Sequence, residues 1–314
     1  MQPSSVSSNK PRVTILLTTY NGAAHLHEQL NSFRAQDYPD WDLWVSDDGS
    51  VDDTLDILET FRTEELSNRK VRILKGPERG HAANFLSLLC HPELPEGPVA
   101  LSDQDDVWLS EKLRLAAKAL QQAAPVALYG AQSYYTDQSL KKNGKSRIPR
   151  LPPSFRNALT QNIVSGHSTV LSAGALSLVR RAAIEHGIPH HDWWLYLLVS
   201  GAGGEVIIDR SRVVLYRQHQ ANAMGAHYGL THRLMRARQV LGQTYAEWLS
   251  ANLTALSHVQ MLLTPENRCV IQKLRESHNR TGIGRMFAMY QLGLHRQSRL
   301  STVCFYLAAA AGRI

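Results

Sequence analysis

Cysteine is scarce. The 314 residues include only Cys90, Cys269 and Cys304, far apart and without a Cys-x-x-Cys or Cys/His ligand spacing. That excludes a disulfide framework and a zinc site and suits a reducing, cytoplasmic compartment. Long apolar runs are missing too: the longest, Val303 to Gly312, falls well short of the roughly 18 residues a membrane span needs. The first ten residues are Ser-rich with no apolar stretch behind their charges, so residues 1–11 are expected to form a disordered leader rather than a signal peptide. Glycine (20) and proline (13) are too few for a collagen-like or disordered chain, and 43% hydrophobic residues sustain a core. The length exceeds that of a usual single core, so one large α/β domain of about 200 residues plus an appendage is expected.

Acidic residues are short at one end only. Residues 231–314 carry 11 Arg/Lys against 3 Asp/Glu, a balance of +8 out of the overall +7, which leaves −1 for residues 1–230. The larger part therefore offers no extended basic face to a nucleic-acid backbone. In the basic part Arg285, Met286, Phe287, Tyr290, Leu292, Arg296, Arg299 and Leu300 interleave cations with apolar residues, a composition that suits an anionic membrane surface. A solvated helix packed on the domain is the plainer alternative.

Several segments have strand and helix signatures in alternation. Val13 to Thr19 is a β-branched apolar run that ends at Tyr20, Asn21 and Gly22, and helical spacing follows from His25 to Gln36. Trp41 to Ser46 reads as a second strand, Thr54 to Phe61 as a helix with Asp52 or Asp53 at its start, and Val71 to Leu74 as a third strand. A helix is expected from Gly80 through Leu89 and a fourth strand from Pro98 to Ser102. Val164–Leu178 and Glu205–Tyr216 read as further strands with a short helix, Trp193–Val199, between them, and the basic stretch Lys141–Pro153 as a mobile loop. Such alternation predicts βαβ units and a mostly parallel sheet with helices on both faces, ligands lying beyond the strand carboxyl ends. Residues 12–227 would form this domain, and 228–314 a helical, basic, amphipathic C-terminal region.

Asp103, Gln104, Asp105 and Asp106 follow the fourth strand directly. Three carboxylates on one turn repel unless neutralised, and hard oxygen ligands suit Mg²⁺ or Mn²⁺. Asp106 has a second reading, as cap of the next helix. Asp47 and Asp48 before Gly49 would alone be an ordinary turn. The order in the chain is what carries information: a strand ending Thr18, Thr19, Tyr20, Asn21, Gly22, then a strand ending Asp47, Asp48, then one ending in the acidic triplet. In this order residues 12 to 222 resemble the family-2 glycosyltransferases.

The resemblance implies a GT-A fold that binds a nucleoside-diphosphate sugar and a divalent cation. Carried over, Thr18, Tyr20, Asn21, Asp47 and Asp48 would contact base and ribose, Gly80 and Asn84 would flank the nucleotide, and Asp103 and Asp105 would hold the metal. Gly80, Asn84 and Phe85 look like a stretch of its rhamnosyltransferase-like members, which favours dTDP-L-rhamnose as donor. Asp192 matches the position of the family's base, and begins an apolar segment that it could equally cap. Trp193 and Trp194 behind it are the candidate sugar platform on the acceptor side. Tyr216, Arg217 and His219 resemble the family's strand ending in which Arg and His face the diphosphate or metal. Ser165, Gly166, His167 and Ser168 depart from the Gly-Cys-Thr of rhamnosyltransferase-like relatives. The implied function is metal-dependent, inverting sugar transfer to a saccharide or lipid-linked oligosaccharide acceptor in surface polysaccharide synthesis, by an enzyme peripheral to the inner face of the cytoplasmic membrane. A sugar nucleotidyltransferase is the first rival, set back by the lack of a Gly-rich basic first loop. A non-catalytic nucleotide-sugar or nucleic-acid binding module is the second. Oligomeric state has no signature in the sequence.

Overall fold

A computed structural model describes residues 11–65, 69–184, 187–218, 243–277, 280 and 282–314. The first half follows the expected alternation: β1 (Val13–Thr19), α1 (Ala23–Arg34), β2 (Trp41–Asp47), α2 (Thr54–Glu64), β3 (Val71–Lys75), α3 (His81–Cys90) and β4 (Val99–Ser102). After it come β5 (Val107–Trp108), α4 (Lys112–Gln122), β6 (Ala127–Thr136), β7 (Lys142–Lys145), α5 (Phe155–Ala158), β8 (Val170–Leu171), α6 (Ala173–Ala182), α7 (His191–Gly201) and β9 (Glu205–Arg217). The described C-terminal part is helical: α8 (Gln243–His258), α9 (Pro265–Ser277), α10 (Ile283–Gln291) and α11 (Arg299–Ala310).

The described strands form one sheet in the order β3-β2-β1-β4-β8-β6-β9-β5, with β7 on β6. β1 lies parallel to both β2 and β4, and β2 parallel to β3, whereas β8 runs antiparallel between β4 and β6. All seven residues of β1 are buried, and their alternation feeds two cores. Val13, Ile15 and Leu17 face α1, α2 and α4 through Leu30, Phe33, Leu58 and Leu113, while Leu16 faces the side of Phe85, Leu176 and Trp194. Burial on both faces explains why this strand reads as an unbroken apolar run.

Three expectations are corrected. Val164–Leu178 is not a strand: a 3-10 turn (Gly166–Ser168) and the two-residue β8 lead into α6. The Ser172 hydroxyl accepts from Ala175 N at 3.1 Å and caps that helix, whose Ala175, Leu176, Val179 and Ala182 recur at helical spacing. β6, ten residues long and central to the sheet, was not anticipated, because its Gly130, Gln132 and Ser133 interrupt the apolar pattern. Part of the basic stretch after Lys141 is ordered as β7 against β6.

The C-terminal helices share the first core with the sheet domain. Leu256, Val259, Leu263, Met289 and Phe305 pack with Phe155, Leu159 and Trp193. Polar ties reinforce this: Asn157 Nδ2 donates to His295 O at 3.0 Å, and Asn267 Nδ2 to Gly201 O at 2.9 Å. The boundary expected at 227/228 lies outside the described residues.

Candidate active site

The parallel strands β1, β2 and β4 deliver their carboxyl-end loops to one edge of the sheet, where an α/β sheet binds its ligands. Asp47 sits at the end of β2 with both oxygens occupied. Oδ2 accepts from Thr19 Oγ1 at 2.7 Å and Ser50 Oγ at 2.5 Å, and Oδ1 accepts from the N–H groups of Gly49 and Ser50 at 3.1 and 2.8 Å. It therefore staples its own turn to β1 rather than facing the cleft. Thr18 is buried beside it. Asp48 reaches the other way and accepts from Glu78 N at 2.6 Å and Gly80 N at 2.8 Å, tying the loop before α3 to β2. Asn84 is buried and donates from Nδ2 to Ser46 O at 3.0 Å, a backbone bracket between α3 and β2.

The first loop carries the exposed groups. Tyr20 is 58% exposed, and Asn21 has a left-handed φ of 48° with its Oδ1 accepting from Val51 N at 2.9 Å. Gln104, which sequence reading passed over between two aspartates, clamps this loop to the acidic turn. Its amide accepts from Tyr20 N at 2.8 Å and donates to Tyr20 O at 2.9 Å. A Cβ on Gly22 would stand 2.2 Å from Gln104 Oε1, so a larger residue there would displace the Gln104 amide from this clamp.

The acidic turn is crowded. Burial, with the carboxylates of Asp105 and Asp192 nearby, pushes the Asp103 carboxyl up to about 7, and burial beside Asp105 and Asp103 likewise raises Asp106. Asp106 does not cap α4, which starts at Lys112; it precedes β5 and accepts from Arg217 N at 3.3 Å, while its Oδ2 has no hydrogen-bond partner among the described residues. Lys112 is fully buried against this turn. Its ammonium donates to His167 O at 2.7 Å and lies 3.1 Å from the centroid of the Trp108 ring. His167 binds Ser133 Oγ through Nε2 at 2.6 Å and stacks on Tyr216 at 4.6 Å, and burial, with the Lys112 charge, pushes its pKa down to about 3. Asp103, Asp106 and His167 each offer a ligand atom within 4.8 Å of the others.

Arg217 ends β9 as expected, but its side chain is 1% exposed and committed to the scaffold. The guanidinium donates to Asp105 O at 3.0 Å, to Gln138 O and to the Glu28 carboxylate, bracing the acidic turn from behind rather than presenting itself to a diphosphate. Of its partners, Glu28 had no sequence signal. His219 lies outside the described residues.

Asp192 stands in the first turn of α7, two residues beyond the N-cap position, which His190 occupies. Its Oδ1 accepts from Trp193 N at 2.7 Å and its Oδ2 from Gly166 N at 3.1 Å. Burial raises its carboxyl above the usual range, against the lowering effect of these bonds and of His81. The neighbouring His191 is buried on Phe85 with ring centroids 4.1 Å apart and is held neutral. Trp193 and Trp194 do not form a sugar platform. They are 4% and 0% exposed, and Trp193 Nε1 donates to Ala158 O at 2.7 Å, because α7 is apolar all round and buried between the sheet and the C-terminal helices. A cavity of about 330 Å³ opens nearby between the start of α3 and residues 187–189, lined by Arg79, Gly80, His81 and Ile188.

Gly166 allows the turn before β8 to approach α7, since a Cβ there would meet His191 Nε2 at 2.6 Å. Gly166→Ala is expected to destabilise the protein by about 1–3 kcal/mol and to loosen Asp192. Thermal unfolding measures this; a midpoint within a degree of wild type would mean that the approach is not constrained.

Several known proteins share this chain's sequence or fold. The chain is 27% identical over 261 residues, 77% of its length and 83% of the relative's, to a dTDP-rhamnosyl transferase RfbG of Shigella flexneri. It is 25% identical over 129 residues, 41% of its length and 48% of the relative's, to the UDP-Glc:alpha-D-GlcNAc-diphosphoundecaprenol beta-1,3-glucosyltransferase WfgD of Escherichia coli. Among solved structures, S. aureus TarS 1–349 in complex with UDP-GlcNAc superposes with a TM-score of 0.56 at 17% identity, covering 96% of this chain and 89% of that one. The mannosyltransferase PcManGT of Pyrobaculum calidifontis in complex with GDP-Man and Mn²⁺ gives 0.54 at 20% identity, covering 97% and 87%. These two likenesses establish the GT-A fold. The model of the family described as glycosyl transferase family 2 matches residues 14–187, the stretch that holds the three loops and the acidic turn. With more than half of its length matched on a GT-A sheet, the chain belongs to glycosyl transferase family 2 and is a glycosyltransferase.

Proposed function

We propose that this glycosyltransferase is metal-dependent and inverting, moves L-rhamnose from dTDP-L-rhamnose to a saccharide acceptor carried on a lipid, and works in surface polysaccharide synthesis at the inner face of the cytoplasmic membrane. The observation that carries the chemistry is Asp192, a carboxylate held by two backbone N–H groups, raised in basicity by burial, and close enough to Asp103 for their charges to interact. The donor assignment rests on the resemblance to the dTDP-rhamnosyl transferase of Shigella flexneri, and the lipid-linked acceptor on the diphosphoundecaprenol named for the Escherichia coli relative.

The acidic turn fits a divalent cation. Crowded oxygen donors, a carboxyl held half-protonated near neutrality and an Asp106 Oδ2 without a hydrogen-bond partner among the described residues describe a site short of positive charge. Asp103 and Asp105 would hold Mg²⁺ or Mn²⁺. Lys112 already offsets part of the charge at Asp106 from inside and the buried His167 is committed to Ser133, so Asp103 and Asp105, both half-buried, suit the ion better than Asp106 and His167. The bound cation supplies neutralisation of the departing nucleoside diphosphate. Asp192 takes the proton of the attacking acceptor hydroxyl, and the N–H groups of Gly166 and Trp193 hold the carboxylate in place for it. Tyr20 and Asn21, exposed at the end of β1, and the edge of α3 at Gly80 line the side on which the nucleotide would lie.

A panel of nucleotide sugars titrated with and without Mn²⁺ tests the reading. Metal-dependent binding of dTDP-L-rhamnose that Asp105→Ala abolishes is expected. Indifference of every nucleotide sugar to both the metal and Asp105 would sink the reading, and release of pyrophosphate in place of nucleoside diphosphate during turnover would favour a nucleotidyltransferase.

A further inference from the structure

We propose that the outer face of the α10–α11 hairpin is an insertion surface for an anionic bilayer. This deepens the membrane association stated above, and rests on that reading only for where the acceptor is found. Both helices are apolar on two sides. Ala288 and Met289 on α10, and Phe305, Ala308 and Ala309 on α11, face the core. Ile283, Phe287 and Tyr290, spaced i, i+4, i+7 along α10, are 74%, 52% and 63% exposed, and Leu300, Val303 and Leu307, spaced i, i+3, i+7 along α11, are 76%, 51% and 57% exposed. The two helices pack on one another, with Tyr290 and Tyr306 ring centroids 6.1 Å apart. Half of the large apolar side chains exposed among the described residues stand on these two helices. Scattered surface leucines need no explanation, but two continuous stripes on adjoining helices mark a binding face.

Charge selects the occupant. Residues 280–314 contain Arg280, Arg285, Arg296, Arg299 and Arg313 and no Asp or Glu. Arg296 is drawn inward to Thr160 O and the Tyr245 hydroxyl, so it leaves the amphipathic surface on which the sequence pattern places it. Arg280, Arg299 and Arg313 remain exposed beside the stripes. A second copy would set cations against cations, whereas anionic headgroups complement them while the stripes enter the acyl boundary. Helices of 9 and 12 residues are too short to cross a bilayer and lie in its surface instead.

Flotation of the full chain with vesicles of phosphatidylcholine and phosphatidylglycerol at 3:1, and with phosphatidylcholine alone, reads the proposal. Wild type is expected to float with the anionic vesicles and to be released by salt. The triple variant Phe287→Ser, Leu300→Ser, Leu307→Ser should partition at least about tenfold less, the single variant Leu300→Ser should fall between, and Arg280→Gln with Arg299→Gln should lose the preference for anionic lipid. Thermal unfolding and nucleotide-sugar binding unchanged in these variants show that the fold is intact. Wild type left in the soluble fraction, or a triple variant that floats as well as wild type, overturns the proposal. So does a concentration-dependent dimer that the triple variant abolishes without any vesicle binding. Vesicle binding by a chain that binds no nucleotide sugar would leave this surface standing and remove the transferase reading of donor and acceptor, so the two failures are separable.

Discussion

Asp192→Asn is expected to lower kcat by about 10³-fold, within the 10² to 10⁴ range of a lost general base, while donor affinity stays within about twofold of wild type. The substitution keeps the size of the side chain and one oxygen for a backbone N–H, but it removes the group proposed to receive the acceptor proton. The pH profile identifies the role. Burial raises the Asp192 carboxyl, so its protonated, inactive form persists to higher pH than for an ordinary aspartate. In wild type kcat/KM should therefore fall as pH drops through an acid limb above the usual carboxylate range. A variant retaining more than a tenth of wild-type kcat, or an acid limb that persists in Asp192→Asn, would assign the base elsewhere.

Asp103→Asn is expected to weaken Mn²⁺ binding, measured by electron paramagnetic resonance in the presence of dTDP, by more than the roughly 10- to 100-fold cost of losing an outer-shell partner. Its pH dependence is the sharper observable. Without the cation Asp103 titrates at about 7, raised by burial and by Asp105 and Asp192. Metal binding must expel that proton, so wild-type affinity should climb by up to about tenfold per pH unit below 7 and level off above it. Asp103→Asn has no such proton to lose and should give a flatter profile. A wild-type affinity that ignores pH between 5 and 7 would mean that Asp103 is not a ligand.

The elements that positioned these predictions differ in how visible they were. β1, β2 and β4 were plain, because strands buried on both faces are continuous apolar runs bounded by turn residues. β6 was not, because a central strand that makes room beside Val164 at Gly130 and bonds sideways through Gln132 and Ser133 breaks that pattern. Asp192 was found through its resemblance to a family motif, and the structure supplies the two N–H groups that hold it. Trp193 and Trp194 were misread, since an aromatic pair next to an acid looks the same whether it faces a sugar or a core.

Local order along the chain was enough to determine the alternation of strands and helices, the three loops at one sheet edge and the acidic turn, because each depends on neighbours within about ten residues. Only the tertiary structure decided what each acid does. Asp47 and Asp48 became staples because hydroxyl and amide donors from Thr19, Ser50, Glu78 and Gly80 converge on them. Lys112 and Glu28 joined the site with no motif of their own, and His167 came to it from a distant stretch noted only as a departure from the family pattern. Burial, which sets the basicity of Asp103 and Asp192, is a property of the packed chain, since a carboxyl loses its water only when distant segments close over it.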